Sequence, residues 1–214
     1  MKILVEKKHP LAIRWNHWIS FPVLFIMIWS GLLIYWANAD YLVPQSWLTS
    51  IGFGSRLAEG LGWHFTFAIL FILNGLAYAS FLLFSKQWRY LFPDRRSFKE
   101  AALVALHDLK IYKGKLPAKR KYNAAQRFAY TGVLFLGAGA TVTGLAIYKP
   151  IQLNWLLALL GGYTAARWEH FLIMILFLLF FVVHIVQVIL AGWNNFRAMI
   201  TGLEVTELET SDVE

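Results

Sequence analysis

Four of the six histidines lie in long apolar stretches, where an ionisable side chain is costly unless it has a function. They are His17 in RWNHW, His64 in GWHFTF, and His170 and His184 in WEHFLIMILFLLFFVVHIVQ. Thirteen consecutive apolar residues separate His170 from His184. The other two histidines lie in polar surroundings, and we expect them to be solvated.

The spacing of these histidines puts them in pairs at two depths. In a helix, the fourteen residues from His170 to His184 correspond to a turn of about 40° and a rise of about 21 Å. If successive spans alternate in direction, His17 and His184 lie near the inner face, and His64 and His170 near the outer face. A single buried histidine often only bonds a neighbouring helix, but four at matched depths favour a ligand role.

Paired imidazoles at one level suit a low-spin haem with both axial positions filled, which favours electron transfer. Zinc or copper would instead need three or four convergent ligands, often including carboxylate or sulfur. The chain has no cysteine, which excludes disulfides, cysteine-bound iron–sulfur clusters and covalent haem attachment. The sequence therefore predicts two b haems per chain, the inner one held by His17 and His184 and the outer one by His64 and His170.

Cationic and small residues near these histidines suggest supporting roles. Haem propionates need cationic partners, and Arg14 and Arg167 each precede a histidine by one helical turn. Contact with lipid headgroups is the alternative role for both arginines. Gly31 and the GAGATVTG segment are predicted to make room for a flat ring, with plain helix packing as the alternative.

Four apolar segments are long enough to cross a bilayer core, which needs about 20 residues. The mean hydropathy of +0.54 agrees, as does a charged fraction of 15%, against about 25% in soluble domains. The predicted spans cover approximately residues 10–35, 63–84, 128–148 and 168–193. We therefore predict an all-α integral membrane protein, built as a four-helix transmembrane bundle.

The distribution of positive charge predicts the orientation of the spans. Of the 20 lysines and arginines, four precede or open the first span, twelve lie between Lys86 and Arg127, and Arg197 follows the fourth span. Only Arg56, Lys149 and Arg167 lie on the opposite side. By the positive-inside rule, both termini are predicted to be cytoplasmic. The same distribution explains the net charge of +8 without a nucleic-acid partner.

The chain is predicted to form one four-span domain over residues 1–203, with a long cytoplasmic loop at 85–127. The loop contains SFKEAALVALHDLK, whose Ser97-x-x-Glu100 pattern predicts a capped amphipathic helix on the membrane surface. Residues 204–214 carry five acids and are predicted to form a flexible tail. No internal repeat is apparent in the sequence.

This histidine pattern resembles the prokaryotic di-haem cytochrome b (cytochrome b561-like) family. That family includes formate dehydrogenase gamma subunits, nickel–iron hydrogenase b-type cytochrome subunits and thiosulfate reductase cytochrome b subunits. The resemblance covers nearly the whole chain, from RWNHW to WNNF, and includes the H-x13-H pair of the fourth span. In addition, KYNAAQRFAY resembles the Y-N-x-x-Q-[KR] stretch that opens the third span in the formate and thiosulfate branches.

The resemblance implies a quinone pocket beside the inner haem, formed with the help of Asn123 and Gln126. An amide pair at a helix start offers hydrogen-bond donors without fixed charge, although helix capping by Asn123 is the alternative. The resemblance also implies an exterior, periplasmic partner: a catalytic subunit with molybdenum, nickel–iron or iron–sulfur centres, or a soluble cytochrome. The predicted function is electron transfer between the quinone pool and that oxidoreductase.

Two other functions fit parts of the same pattern. A stand-alone enzyme could oxidise superoxide at the outer haem and reduce quinone, but the exterior offers few cations to attract the anion. A transporter could relay protons along the histidines, but few other ionisable residues lie near that path. The amino-acid sequence does not identify the partner, the quinone or the direction of electron flow.

Overall fold

The computed structural model describes residues 2–37, 44–52, 56–108, 110–116 and 121–208. These form two compact units, one of Met1–Ser80 with Ala191–Glu214 and one of Phe81–Leu190. The elements, in chain order, are β1 (Lys2–Lys7), α1 (Leu11–Trp36), α2 (Gln45–Ser50), α3 (Leu57–Phe84), α4 (Trp88–Leu91), α5 (Arg95–Asp108), α6 (Ala124–Tyr148), α7 (Asn154–Leu159), α8 (Tyr163–Thr201) and β2 (Leu203–Leu208).

Helices α1, α3, α6 and α8 are long and apolar enough to cross a membrane, which confirms the prediction of four spans. The last three begin earlier than hydropathy alone suggests, because their first turns are more polar than the apolar segment that follows. The start of α3 illustrates this, since Arg56 donates to both carboxylate oxygens of Glu59, at 2.7 and 2.6 Å. Glu59 lies in the first turn, where a negative charge also suits the helix dipole.

Helix α8 is interrupted at Gly192, whose φ of 79° and ψ of 174° are non-helical. This conformation is accessible to glycine because it has no Cβ atom. The segment that follows packs against the start of α1, where Trp18 Nε1 donates to the Met199 carbonyl at 3.1 Å. Arg14 donates to the Ile200 carbonyl in the same region.

Strands β1 and β2 form a two-stranded antiparallel sheet, with Lys2 opposite Leu208 and Lys7 opposite Leu203. The chain is mostly helical, which confirms the predicted fold class, and the small sheet includes residues 204–208, which were predicted to belong to a flexible tail. Lys8, the residue after β1, forms an ion pair with Glu204 of β2, with Nζ 2.5 Å from Oε1, and this pair supports the association of the strands. Residues 209–214 of the predicted tail lie outside the described part of the chain.

Within the first unit, α1 and α3 are joined by reciprocal amide hydrogen bonds. Asn16 Nδ2 donates to the Asn74 carbonyl at 3.2 Å, and Asn74 Nδ2 donates to the Asn16 carbonyl at 3.3 Å. Asn74 Nδ2 also lies 2.8 Å from the Ser20 hydroxyl. Such bonds hold helices together where no water competes, and here they act one residue away from His17.

Within the second unit, α4 and α5 pack against the start of α6. The Arg127 guanidinium is buried and donates to Ser97 Oγ at 2.9 Å and to the Phe92 carbonyl. Asp94 caps α5: its Oδ1 accepts from the Ser97 backbone N–H at 3.0 Å, while its own N–H donates to Ser97 Oγ at 3.1 Å. The amphipathic helix is therefore present, but the predicted cap at Ser97 was wrong by one turn.

Candidate haem-ligand site

His64 is held by groups on the last turns of α1. Its Nδ1 lies 3.1 Å from Ser30 Oγ and 3.2 Å from the Met27 carbonyl oxygen. Gly31 lies directly against the ring, since a Cβ atom built there would be 3.3 Å from His64 Cε1. The imidazole is therefore fixed by two polar atoms on one edge and by glycine backbone beside it.

His170 has the same setting in the second unit, on the last turns of α6. Its Nδ1 lies 2.8 Å from Thr143 Oγ1, and its imidazole also forms a hydrogen bond with the backbone of Ala140. A Cβ atom built on Gly144 would be 3.1 Å from His170 Cε1. Gly31 and the GAGATVTG segment were predicted to make room for a haem, but in the structure Gly31 and Gly144 lie against the imidazoles themselves.

The hydrogen bonds determine which ring nitrogen carries the proton. Each hydroxyl uses its single proton on a carbonyl one turn earlier: Ser30 donates to Ile26 at 2.6 Å, and Thr143 donates to Gly139 at 2.7 Å. The Met27 carbonyl oxygen near His64 Nδ1 can only accept, so Nδ1 is assigned as the donor, and the equivalent setting of His170 gives the same assignment. The lone pair is then on Nε2, as a metal ligand requires, and donation from Nδ1 is the usual outer contact of such histidines. These residues therefore fit a haem.

The two settings belong to an internal repeat that the sequence analysis missed. SGLLIY at residues 30–35 corresponds to TGLAIY at residues 143–148, and each segment lies in the last turns of its helix. A six-residue helix, α2 or α7, follows in each case. The next helix then carries His64 or His170 as its eighth residue. The repeated [Ser/Thr]-Gly-Leu segment was the available signal.

Small residues complete the repeat one turn before each histidine. A Cβ atom on Gly60 would lie 2.9 Å from the Cβ of Leu33, so glycine is required opposite leucine. At the equivalent positions Ala166 and Ala146 are both fully buried in one cluster. In each unit, small residues at these positions allow the two helices to pack closely: glycine against leucine in the first unit, and two alanines in the second.

The inner histidines have aromatic neighbours on their own helices. His184 stacks on Phe180 with ring centroids 5.7 Å apart and an interplanar angle of 10°. His17 contacts Trp18 edge to face at 5.1 Å. His17 and His64 belong to the first unit, and His170 and His184 to the second. Each predicted ligand pair takes one histidine from each unit, and the two pairings remain predictions.

The two candidate propionate partners differ in their surroundings. Arg14 donates to the Ile200 carbonyl and so joins the start of α1 to the end of α8. Arg167 is exposed in the first turns of α8. A contact with haem propionates remains a prediction for both.

Asn123 and Gln126 form a capping box at the start of α6. Asn123 Oδ1 accepts from the Gln126 N–H at 2.8 Å, and Gln126 Oε1 accepts from the Asn123 N–H at 3.1 Å. The capping role was therefore real, and it uses the carbonyl oxygens of both amides. The two NH₂ groups take no part in the box and retain their capacity to donate.

Lys121 precedes Asn123 by two residues and is exposed. Its Nζ donates to Gln87 Oε1 at 2.5 Å and lies 5.1 Å from the ring centroid of Tyr90. Partial desolvation lowers the pKa of Lys121, and burial raises the pKa of its neighbour Tyr122. A cation that releases its proton more readily is thus close along the chain to the first residue of the capping box.

The described residues contain no group of three or more His, Cys, Asp or Glu side chains able to hold a metal ion. Four helices able to span a membrane, with histidines inside their apolar segments, are typical of a membrane haem protein. The model of the prokaryotic cytochrome b561 family matches residues 8–202, and the chain belongs to that family. It is therefore a multi-pass membrane protein that uses b-type haem for electron transfer.

One relative extends this comparison. The chain is 35% identical over 200 residues to the putative protein-methionine-sulfoxide reductase subunit YedZ1 of Azospira oryzae (strain ATCC BAA-33 / DSM 13638 / PS). The match covers 91% of this chain and 96% of the relative. The similarity thus extends over all four spans.

Proposed function

We propose that this protein is the membrane electron-transfer subunit of an oxidoreductase, with two b haems per chain. The repeated setting of His64 and His170 is the main support, because each imidazole has the hydrogen-bond partners that a haem-ligating histidine would need. His17 and His184 are proposed as the ligands of the inner haem. Depth along the spans, counted from the sequence, supports both pairings.

Bound haem would supply reversible one-electron chemistry between the two membrane faces. The protein's own contribution is to orient the ligands and exclude water. Ser30 and Thr143 hold the outer rings with Nε2 unprotonated, and the apolar helices keep competing water ligands away. Arg14 and Arg167 are retained as proposed partners of the negatively charged propionates.

The inner end of the molecule is proposed to bind quinone at the start of α6. The NH₂ groups of Asn123 and Gln126 would donate to the quinone carbonyl oxygens, since the capping box leaves those donors available. The Nζ of Lys121 would supply protons from the cytoplasmic side, helped by its lowered pKa. This site needs no charged group within the apolar part of the span.

The outer end is proposed to deliver electrons to an exterior reductase subunit. The relative's name describes a subunit of a protein-methionine-sulfoxide reductase, so a reductase of that kind is the first partner to test. The positive-inside distribution supports cytoplasmic termini and an exterior outer haem. A partner of this kind would distinguish the proposal from a stand-alone superoxide oxidase.

A reduced-minus-oxidised visible spectrum with haem quantification tests the proposal directly. We expect a b-type band, two haems per chain, and reduction of both haems by quinol. Fewer than two haems per chain would contradict the four-ligand assignment. Haem-free protein that moves protons in sealed vesicles would instead support the relay function considered above.

A further inference from the structure

We propose that Ser30 and Thr143 are positioning residues that tune the electron affinity of the outer haem through its two histidines. This inference rests on the proposed ligand role of His64 and His170. It goes further by assigning a function to two hydroxyl groups that touch neither the iron nor a substrate.

Each hydroxyl lies in a three-group chain that ends on helix backbone. In the second unit, His170 Nδ1–H donates to Thr143 Oγ1 at 2.8 Å, and Thr143 donates in turn to the Gly139 carbonyl at 2.7 Å. In the first unit, the chain runs from His64 Nδ1–H to Ser30 and then to the Ile26 carbonyl, at 3.1 and 2.6 Å. Because each hydroxyl proton is already used, each oxygen can only accept from its ring.

Burial protects these two hydrogen-bond chains from competition by water. Ser30 is 0% exposed and Thr143 is 3% exposed, so water cannot take over either hydrogen bond. A buried polar group that loses its partner is costly, which favours one rotamer of the hydroxyl and one orientation of the ring. Gly31 and Gly144 bring the helix backbone close enough for the bonds to form.

The electronic consequence follows from where the proton lies. An acceptor at Nδ1–H draws the proton outward and leaves more electron density on Nε2, which makes the imidazole a more basic ligand. A more basic ligand stabilises oxidised iron over reduced iron. Loss of the hydroxyl should therefore make the outer haem easier to reduce, while the haem stays bound.

The test compares Thr143→Val with Thr143→Ser in the full-length protein. Val keeps the branched shape without the hydroxyl, and Ser keeps the hydroxyl. In a potentiometric titration, Thr143→Val should raise the reduction equilibrium constant of the outer haem about tenfold, which is 59 mV for one electron. Thr143→Ser and the inner haem should keep wild-type values. Electron paramagnetic resonance of the oxidised haem should show changed ligand-field parameters in Thr143→Val alone.

Thr141→Val is the matched control, because Thr141 lies on the same helix and donates to the Gly137 carbonyl at 2.9 Å. An equal shift in Thr141→Val, or an unchanged potential in Thr143→Val, would overturn the inference. If Thr143→Val fails to bind the outer haem, Ser30→Ala takes its place in the titration and should likewise make the outer haem easier to reduce. The His64 ring should stay in position in that variant, because it keeps the Met27 carbonyl as a second hydrogen-bond acceptor.

These outcomes separate the inference from the proposed function. Wild-type protein without a bis-histidine haem signal would contradict both. Wild-type protein with two such haems, and with Thr143→Val and Ser30→Ala at wild-type potentials, would contradict only the role of the hydroxyls.

Discussion

At the residue scale, the histidines proposed for the outer haem are oriented by hydrogen bonds. His64 and His170 donate from Nδ1 to a hydroxyl and a backbone group of the preceding span. His17 and His184 contact aromatic rings on their own helices. A hydrogen bond at Nδ1 restrains both the tautomer and the rotation of an imidazole. We therefore expect loss of such a bond to change the spectrum of the proposed outer haem.

Single histidine substitutions test the pairing of ligands. His64→Ala and His170→Ala should each remove the same haem signal, and His17→Ala and His184→Ala should each remove the other. Each loss should leave about one haem per chain, because a haem that lacks one of its two ligands binds weakly. Haem quantification and low-temperature difference spectra provide the measurement. Any other grouping of the four variants would refute the pairs.

Glycine substitutions in α6 test the contact with His170. Gly144→Ala would put a Cβ atom 3.1 Å from His170 Cε1, so the ring must shift, at a cost of about 1–3 kcal/mol in stability. We expect reduced outer-haem content and a lower melting temperature in detergent. Gly132→Ala is the matched control, because nothing lies within 4 Å of a Cβ atom there. A similar haem loss in both variants would show that glycine in α6 matters only for the helix.

At the element scale, the start of α6 combines capping and attachment in one short segment. Asn123 and Gln126 cap the helix, and Arg127 attaches it to α5 through Ser97. Helix capping and helix attachment are therefore enough to explain the KYNAAQRFAY segment structurally. A quinone function would require the same amides to use their remaining NH₂ donors, so the two roles can be separated by substitution.

Asn123→Asp separates capping from quinone binding. Aspartate keeps the Oδ1 acceptor of the cap and loses the NH₂ donors, so helix stability should be retained. If quinone binds here, reduction of the inner haem by quinol should fall by about tenfold, the loss expected for one hydrogen bond of about 1.4 kcal/mol. Asn123→Ala, which also costs about 1 kcal/mol of capping, provides the comparison. Wild-type quinol kinetics in Asn123→Asp would remove Asn123 from the proposed site.

At the scale of the whole molecule, β1 pairs with β2 near the two ends of the described chain. The two strands must then lie on one side of the membrane, as an even number of spans also requires. The sheet does not define which side this is. That part of the prediction depends on the positive charges, which favour the cytoplasm.

Cysteine labelling can measure the orientation, because the chain has no cysteine of its own. Gln152→Cys, in the exposed connection between α6 and α7, should react with a membrane-impermeant maleimide in intact cells. Lys113→Cys, exposed in the loop before α6, should react only in inverted vesicles. The reverse pattern would place the termini outside and would invert the proposed direction of the electron path.

Hydropathy and histidine placement were enough to predict the four spans, the haem class and the family. Ser30 and Thr143 escaped notice because a hydroxyl in an apolar helix usually bonds its own backbone. Strand β2 was not predicted, because its acidic sequence is typical of a flexible tail. It forms a strand because β1 pairs with it. Ser97 was misassigned because Asp94 competes for the same cap.

The amino-acid sequence by itself determined which segments are apolar enough to enter the membrane and which side chains there are proposed as iron ligands. Both follow from transfer free energies and ligand chemistry, which depend on residue type and on spacing along one helix. Only the tertiary structure decided that Ser30 faces His64, that Thr143 faces His170, and that Asn123 caps α6. Those relations depend on how close two helices approach, and tenths of an ångström at Gly31 and Gly144 determine whether a hydroxyl reaches a ring.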